Sequence, residues 1–555
     1  MPTVAVVGDR DPTTERLLRE LDARARMPAG PGTASPEIRW RGVIDRHQEA
    51  ATAAFDAADA VVYLAACRGR RGVPDNEDAA AWLGGCNEHA VPHVIIVSSA
   101  QVFEPDMRHP GLVSEGRGEL PPCSHPIAAR WRELESLAKR LLDGRNTTLT
   151  LLRPTALPVP GGDDYFSRLL HGRLAITLPG HDPSLQLLSL AELAGALVAA
   201  IRGRREGLFH LAPRRTVSLR SALRERKIRR WPVPRTLQIP LRGLLAPLEL
   251  AATTAQLDYI RYDWTVSAAR ADRELGLHAA IPDGSNAADA DRPEAGSDPF
   301  GMDCDFIDAL GRRLLGFLHD RYWRVELAGL EHIPRDGPVV LVGVHRGYFP
   351  WDAMMILLAL APRSGRYPRF LIHPGLLKFP FFFDLFRKLG GLIACRENSD
   401  YVLARGGVLG VLPEGVEGAF RPYKDAYRLG RFGRGAFVRA ALRHRATIVP
   451  FVTVGSAEAS PILARIRSRP WRRYSLWPYI PITPTLLPIP LPLPSKWHTR
   501  FLRPPRLDVE DAEAAARDDG FVRQQTRAIR ARMQVELDEI RTRRPSVFAG
   551  NVFDR

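Results

Sequence analysis

Short apolar runs separated by amphipathic stretches recur from the start of the chain. Thr3-Val4-Ala5-Val6-Val7-Gly8 is an apolar run closed by glycine, and Thr13 to Ala23 then carries apolar residues at helical spacing. The alternation returns with Ala60 to Ala66 and with Val94 to Ser99. Strands alternating with helical patterns predict a parallel, doubly wound sheet. Between Pro282 and Pro299 the periodicity stops. The small, acidic, Pro- and Gly-bearing sequence there (DGSNAADADRPEAGSD) predicts a flexible linker over 283–300, between a first domain at 1–282 and a second at 301–555.

Beyond the linker, Phe306, Leu310, Leu314, Phe317 and Leu318 fall at helical spacing, with Arg312, Arg313, His319 and Arg321 between them. Such a stripe is either a core helix or a basic amphipathic helix lying in a membrane interface. Arg324 to Leu330 predicts a strand and Ile333 to Pro338 a turn. Val339-Val340-Leu341-Val342 then predicts a short buried strand, followed by a loop and a helix over Met354 to Leu360. Apolar strands recur at 407–412 and 446–451. Leu376, Leu377, Phe379, Phe381, Phe382, Phe383, Leu385 and Phe386 lie beside Lys378, Arg387 and Lys388, a mixture suited either to a lipid headgroup boundary or to a buried helix pair. Alternating prolines make Thr485 to Pro494 a loop. Asp508 to Arg544 predicts a charged covering helix.

A length of 555 residues implies more than one domain. The net charge of +16 is concentrated in the second half, where residues 301–555 hold 40 basic and 25 acidic side chains, against 38 and 37 in the first 300. A basic surface suits an anionic membrane or phosphorylated ligands. No zinc-finger spacing or RNA-binding signature accompanies it, so nucleic acid is not expected. The five cysteines (Cys67, Cys86, Cys123, Cys304, Cys395) are scattered, which fits a reducing compartment. No signal sequence and no apolar run of about eighteen residues is present. The expected location is therefore cytoplasmic, peripheral on the inner face of the membrane.

The candidate chemistry sits in Val-His-Arg-Gly-Tyr-Phe-Pro-Trp-Asp-Ala, residues 344–353. A buried strand delivers His345 into a loop that also carries Asp352. Neutral imidazole takes a proton from a hydroxyl near pH 7, and a carboxylate fixes its tautomer and stabilises the imidazolium. Taken alone, a chance His and Asp on a surface loop would explain this stretch as well. Three further blocks follow in order: Gly390 to Asn398 with Arg396, Gly407 to Gly415 ending Pro413-Glu414-Gly415, and Ala446 to Phe451 with Pro450. Together the four blocks resemble the glycerolipid acyltransferase superfamily, typified by the lysophosphatidate acyltransferases. The likeness runs over roughly Phe306 to Val547, with six residues rather than four between the histidine and the aspartate.

The resemblance implies an α/β acyltransferase domain in which His345 is the general base and Asp352 orients it. It implies that no metal or other cofactor is required, and that the donor substrate is acyl-CoA or acyl-carrier protein. The superfamily's second-motif arginine binds glycerol phosphate, and Arg396 matches it. Glu414 and Gly415 match the Pro-Glu-Gly motif, but Val416-Glu417-Gly418 follows where Thr-Arg is usual. Lys424, Arg428, Arg431 and Arg434 are then candidates to supply phosphate-binding charge, or they form a solvated face against anionic lipid. Backbone N–H groups near Gly347 or Gly415 are candidates for the oxyanion.

The first domain resembles the extended short-chain dehydrogenase/reductase family, of nucleotide-sugar epimerase type. Leu64 to Ala66, Val97 to Phe103, Leu152-Arg153-Pro154, Gly207 to Leu211 and the Tyr259 to Leu277 run carry this likeness. It implies a Rossmann-like sheet. The family's phosphate loop is Gly-x-x-Gly-x-x-Gly, whereas this chain has Gly8-Asp9-Arg10-Asp11-Pro12-Thr13-Thr14. Only Gly8 survives. Ser99 matches the catalytic serine, but Ile127 and Trp131 stand where tyrosine and lysine are expected. A catalytically dead relative, binding NAD(P) weakly at most, is therefore expected.

These readings combine into an O-acyltransferase acting on a lipid hydroxyl at an anionic membrane surface. The favoured acceptor is 1-acylglycerol-3-phosphate in phospholipid biosynthesis; a neutral alcohol such as diacylglycerol is the alternative. A non-catalytic lipid-binding scaffold, or a bifunctional reductase-acyltransferase, would be a different class. The four blocks together weigh against the first, and the missing tyrosine and lysine against the second.

Overall fold

In the first domain, neighbouring residues of each strand send their side chains into different cores, as the pleat requires. The computed structural model describes residues 2–9, 11–26, 38–44, 55–65, 73–117, 120, 123–142, 146–238, 240–246, 250, 252–278, 298–378, 380–471, 478–485, 492–507 and 509–553. Most of the expected linker, residues 279–297, lies outside them. The chain divides into two units, Met1–Gly284 and Ser285–Arg555.

The first unit is built on β1 (Thr3–Val7), β2 (Arg39–Ile44), β3 (Ala60–Tyr63), β4 (His93–Val97), β5 (Thr148–Pro154) and β6 (Gly207–Leu211). They form one parallel sheet in the order β2-β1-β3-β4-β5-β6. Val4, Val6, Val62 and Ile95 face α1 (Pro12–Ala25) and α4 (Leu190–Gly203) through Leu17, Leu21, Leu193 and Leu197. Ala5, Val7, Val61, Val94 and Ile96 face α2 (Asn76–Glu88) and α3 (Pro126–Leu142) through Trp82, Leu83, Trp131 and Leu134. Burial on both faces explains why these strands read as continuous apolar runs. The architecture is the doubly wound α/β sheet expected.

The second unit holds a mixed seven-stranded sheet: β7 (Glu326–Ala328), β8 (Val339–Val342), β9 (Arg369–Ile372), β10 (Leu392–Ile393), β11 (Val408–Val411), β12 (Thr447–Val454) and β13 (His498–Phe501), in the order β7-β13-β12-β8-β11-β9-β10. Every neighbouring pair is parallel except β12 with β13. β8 sits at the centre, fully buried between β11 and β12. At the sheet's far edge Glu326 accepts the backbone N–H groups of Val552 and Phe553 and a bond from His498 Nδ1 at 2.7 Å. Burial opposes its ionisation, but these donors outweigh it and hold the carboxyl below its usual range.

The 304–322 stripe is helical but not regular. α5 (Cys304–Leu310) runs into two five-residue π turns, Gly311–Leu315 and Leu318–Tyr322. Leu315 and Leu318 are buried, while Leu314 and Phe317 are 54% and 55% exposed. The aromatic run divides likewise. In α7 (Pro380–Lys388), Phe383 and Phe386 are buried and Phe381 is 74% exposed. Phe379 and residues 486–491 of the proline-rich loop lie outside the described residues, as does Asp508. The charged tail breaks at Asp518, which caps the long helix at Asp519–Arg543 by accepting from Gly520 and Phe521 N–H; Val522, Ile529, Met533 and Leu537 form its buried stripe.

The end of the expected linker needs correction. Asp298 is buried and accepts from Arg369 Nη1 at 2.8 Å, and its Oδ2 also takes the N–H groups of Phe300 and Met302. Phe300 is buried as well. The acidic residue that composition assigns to a solvated tether is the counter-ion of a buried arginine. Asp298→Ala strands that guanidinium, and a broken buried pair typically costs about 3–5 kcal/mol. We expect a thermal melt of the full chain to show the second unit's transition clearly lowered.

Candidate active site

Two glycines let the loop after β8 form. The N–H of Gly343 continues the ladder to Val411 O at 3.0 Å, and a Cβ there would lie 1.9 Å from the Phe451 ring. Gly347 has φ +87°, and a Cβ would meet Ser460 at 2.8 Å. The loop places His345 just past the centre of the sheet and ends in α6 (Trp351–Ser364), with Asp352 in its first turn.

His345 Nδ1 and Asp352 Oδ2 are 2.9 Å apart, and both residues are buried. The same Oδ2 accepts the N–H of Arg346 at 3.1 Å. A carboxylate only accepts, so His345 Nδ1 carries the proton and Nε2 keeps its lone pair. That is a base oriented for a hydroxyl.

Arg346 was not singled out by sequence reasoning. Its buried side chain reaches the turn after β11. Nη1 donates to Glu414 Oε2 at 2.6 Å and to His345 O at 2.7 Å, and Nε donates to Ala426 O. Glu414 Oε1 takes Arg421 Nη2 at 2.9 Å and the N–H of Gly430 at 2.6 Å. Glu414 is thus committed within the protein: it ties the His345 loop to the 421–430 loop. Three of the carboxylate's acceptor positions are used inside the protein. Gly415 has φ +56° and its N–H bonds Leu412 O at 2.9 Å, so that group is spent on the turn. Gly347 is left as the oxyanion candidate.

Aromatic rings wall the loop. Phe349 lies against Trp351, Phe382 and Phe386 at centroid distances of 4.5, 5.6 and 5.5 Å. Trp351 meets Trp323 at 5.4 Å, and Trp323 stacks on Trp497 at 4.4 Å. Tyr348 donates to or accepts from Thr485 at 3.0 Å.

Arg396 lies elsewhere. It opens α8 (Arg396–Ala404), beyond β10, three strands from β8; at roughly 4.8 Å per strand that is about 14 Å across the sheet. Its side chain is 71% exposed and bonds Asp400 at 3.2 Å. Burial opposes ionisation of Asp400, but hydrogen bonds from His444, Arg443 and Arg396 outweigh it and hold the carboxyl below its ordinary value. Lys424, Arg428, Arg431 and Arg434 are exposed on the segment after Glu414.

In the first unit the start of α1 is capped from within the chain. Asp11 caps α1 with its own carboxylate, Oδ1 taking Thr14 N–H at 2.7 Å, and Pro12 removes another donor. The chain's own carboxylate thus takes the helix N-terminus that follows β1. Burial pushes the Asp11 carboxyl up from its usual range. Ser99 Oγ is used to cap Gln101 N–H at 3.1 Å, and Ile127 and Trp131 are buried in the core. Behind them Glu135 pairs with Arg153 and accepts from Ser98 at 2.7 Å. Gly8 follows β1, and a Cβ there would come 3.3 Å from Leu64.

The Acyltransferase family model matches residues 324–454. An uncharacterized protein of Mycobacterium tuberculosis is 37% identical over 261 residues, 46% of this chain and 72% of that protein. Phytyl ester synthase 2 of Arabidopsis thaliana is 29% identical over 141 residues, 24% of this chain and 20% of its own length. The human "DGAT1/2-independent enzyme synthesizing storage lipids" is 27% identical over 154 residues, 28% of this chain and 47% of that enzyme. Among solved structures, MoeE5 in complex with UDP-glucose and NAD is similar at 18% identity, with a TM-score of 0.36, over 49% of this chain and 92% of its own.

Two stability measurements test these assignments. Glu414→Gln weakens the buried pair with Arg346 and the part-buried pair with Arg421 and is expected to lower stability by about 3 kcal/mol or more, whereas Arg396→Ala, at an exposed pair, should change it by about 1 kcal/mol or less. Asp400, with its pKa held below 3.8, contributes stability that is present above about pH 4 and lost as the pH falls further. The melting-temperature gap between wild type and Asp400→Asn should accordingly be widest above pH 4 and close in stronger acid.

Proposed function

We propose that, in this chain, which belongs to one family with the Mycobacterium tuberculosis protein and matches the Acyltransferase model over residues 324–454, the second unit transfers a fatty acyl group from a thioester donor, acyl-CoA or acyl-carrier protein, to the hydroxyl of a lipid. The observation that carries this reading is the buried 2.9 Å bond from His345 Nδ1 to Asp352, which leaves Nε2 as the base. His345 Nε2 takes the acceptor's hydroxyl proton as its oxygen attacks the thioester carbonyl. The oxyanion is met by the N–H of Gly347. Collapse then breaks the C–S bond, the proton passes from His345 to the leaving thiolate, and an ester and a thiol result. Asp352 stabilises the imidazolium between the two steps.

A neutral lipid alcohol is the acceptor we favour. Arg396 stands about three strand spacings from β8 and is paired to Asp400, and Glu414 is bound internally. Aromatic rings line the His345 loop, and the cation within it, Arg346, is engaged by Glu414. Two distant relatives carry names of neutral-lipid enzymes. One observation favours 1-acylglycerol-3-phosphate instead: the exposed cations Lys424, Arg428, Arg431 and Arg434 follow Glu414 closely. Exposed Leu314 and Phe317, flanked by Arg312, Arg313 and Arg321, support docking on an anionic membrane surface. No described helix is long and apolar enough to cross a membrane. We read the first unit as a scaffold without a dinucleotide.

The test is acyl transfer from a long-chain acyl-CoA, and from acyl-carrier protein, to long-chain alcohols, diacylglycerol and lysophosphatidate in parallel. His345→Ala should reduce turnover by roughly 10²–10⁴ on whichever acceptor is used. Activity on the alcohols but not on lysophosphatidate is expected. Phosphatidate as the dominant product would overturn the neutral acceptor, and equal turnover by His345→Ala would overturn the mechanism.

A further inference from the structure

The large apolar side chains that the first unit leaves in water are gathered in one stretch. Among its described residues they are Trp231, Leu237 and Leu241, exposed at 54%, 52% and 38%. All three fall within eleven residues. Exposed leucines scattered singly are ordinary, whereas a cluster marks a contact surface.

Cations stand beside them. The first 300 residues are almost neutral, with 38 basic and 37 acidic side chains. Yet the seven residues before Trp231 hold Arg224, Arg226, Lys227, Arg229 and Arg230 against one acid, Glu225, and all six are exposed. The ion pairs of this region lie to either side, Arg220 with Asp182 at 3.8 Å and Arg235 with Asp258 at 2.8 Å. Among the described residues no carboxylate pairs with the five cations.

The stretch is fastened from beneath. Arg229–Pro232 is a short strand, parallel to Leu174–Thr177, and all four of its residues are exposed. Ile228 and Val233, which flank it, are buried, and the N–H of Val233 bonds Thr177 O at 3.0 Å. The chain then turns into two helical pieces, Arg235–Gln238 and Arg242–Leu245. Buried Gln238 donates from Nε2 to Val233 O at 2.7 Å and to Thr177 O at 3.2 Å, which clasps the first piece to the end of the strand. The N–H of Leu241 bonds Leu237 O at 3.2 Å, and that of Leu245 bonds Leu241 O at 3.1 Å. Leu237, Leu241 and Leu245 therefore follow one another at single-turn spacing along one helical face. Groups already held in place lose less freedom on docking than a loose segment would.

The mixture selects the partner. Cations alone suit any polyanion, but Leu237 and Leu241 gain nothing from a phosphate backbone. An anionic bilayer meets both kinds of residue: headgroup charge for the arginines, an acyl boundary for the leucines, and the level between them for tryptophan. We propose that residues 224–241 of the first unit dock on an anionic membrane, with Trp231, Leu237 and Leu241 entering the headgroup region and the five cations resting on lipid phosphates and carboxylates. No bond is made or broken there. The first unit is then a membrane-docking module, and this holds whether or not the second unit transfers acyl groups.

The experiment is hydrogen–deuterium exchange of the full chain, alone and with vesicles of phosphatidylcholine containing roughly one-third phosphatidylserine. Exchange is read peptide by peptide, so residues 229–246 are scored separately from the exposed 312–321 segment of the second unit. The amides of Leu237, Gln238, Leu241 and Leu245 are expected to exchange several-fold more slowly on these vesicles. The slowing should be absent with phosphatidylcholine alone and should reverse at high salt. Vesicle flotation supplies the second measurement, in a full chain carrying Leu314→Ser and Phe317→Ser so that the second unit's exposed pair does not mask the result. Arg229→Gln with Arg230→Gln should weaken partitioning by roughly 25-fold, about 5-fold for each cation. Leu237→Ser with Leu241→Ser should weaken it by about 10-fold or more. All four replaced side chains are exposed, and matching circular dichroism qualifies each variant. Unchanged exchange at 229–246 on the mixed vesicles, or variants that partition like their parent, would overturn the proposal. Equal slowing on neutral vesicles would overturn the role of the cations. Slowing by single-stranded DNA and not by vesicles would overturn the membrane as partner and assign the patch to nucleic acid.

Discussion

The site of the second unit depends on one buried carboxylate. Glu414 lies at the end of β11, beside the strand that carries His345, and its two oxygens collect two guanidinium groups and a backbone N–H. A charge so far from water persists only because those donors satisfy it. Through Arg346, which also holds His345 O, the carboxylate fixes the backbone on which the imidazole sits. The parallel register of β8 and β11 brings both loops to the same edge of the sheet, and Glu414 locks them there. The aromatic rings around Phe349 then need only exclude water.

The same physics gives opposite results in the two units. Each places a carboxylate at the start of a helix that follows a buried strand. In the second unit Asp352 reaches outward from α6 to His345 and orients its ring. In the first unit Asp11 turns inward to cap its own helix. A helix N-terminus can serve a side chain of its own or a ligand's anion, and here the chain has taken it for itself.

Much of this was legible in the sequence because it rests on local pattern. Buried strands flanked by glycine, and the His345 to Asp352 spacing, are visible without coordinates. Long-range pairing is not. Asp298 reads as a solvated linker charge until Arg369, 71 residues later, is placed against it. Arg346 reads as a loop cation until Glu414, 68 residues on, closes the pair. The apolar stripe from Phe306 to Leu318 gives a helix but not its π turns, which shift Leu314 and Phe317 outward while Leu315 and Leu318 turn in. Arg396 matches a motif by position, yet the sheet order sets it apart from β8, and strand order is not written in any single segment.

The Glu326 carboxylate has a consequence for how the chain is made. It belongs to the first strand of the second sheet, but two of its partners are the backbone N–H groups of Val552 and Phe553, more than two hundred residues later. During synthesis this acid emerges long before those donors exist. The sheet's outer edge cannot be sealed until residues 552 and 553 have been made. Closure of this edge is therefore a late, long-range step in the folding of the unit, and until it happens the rim of the sheet stays open.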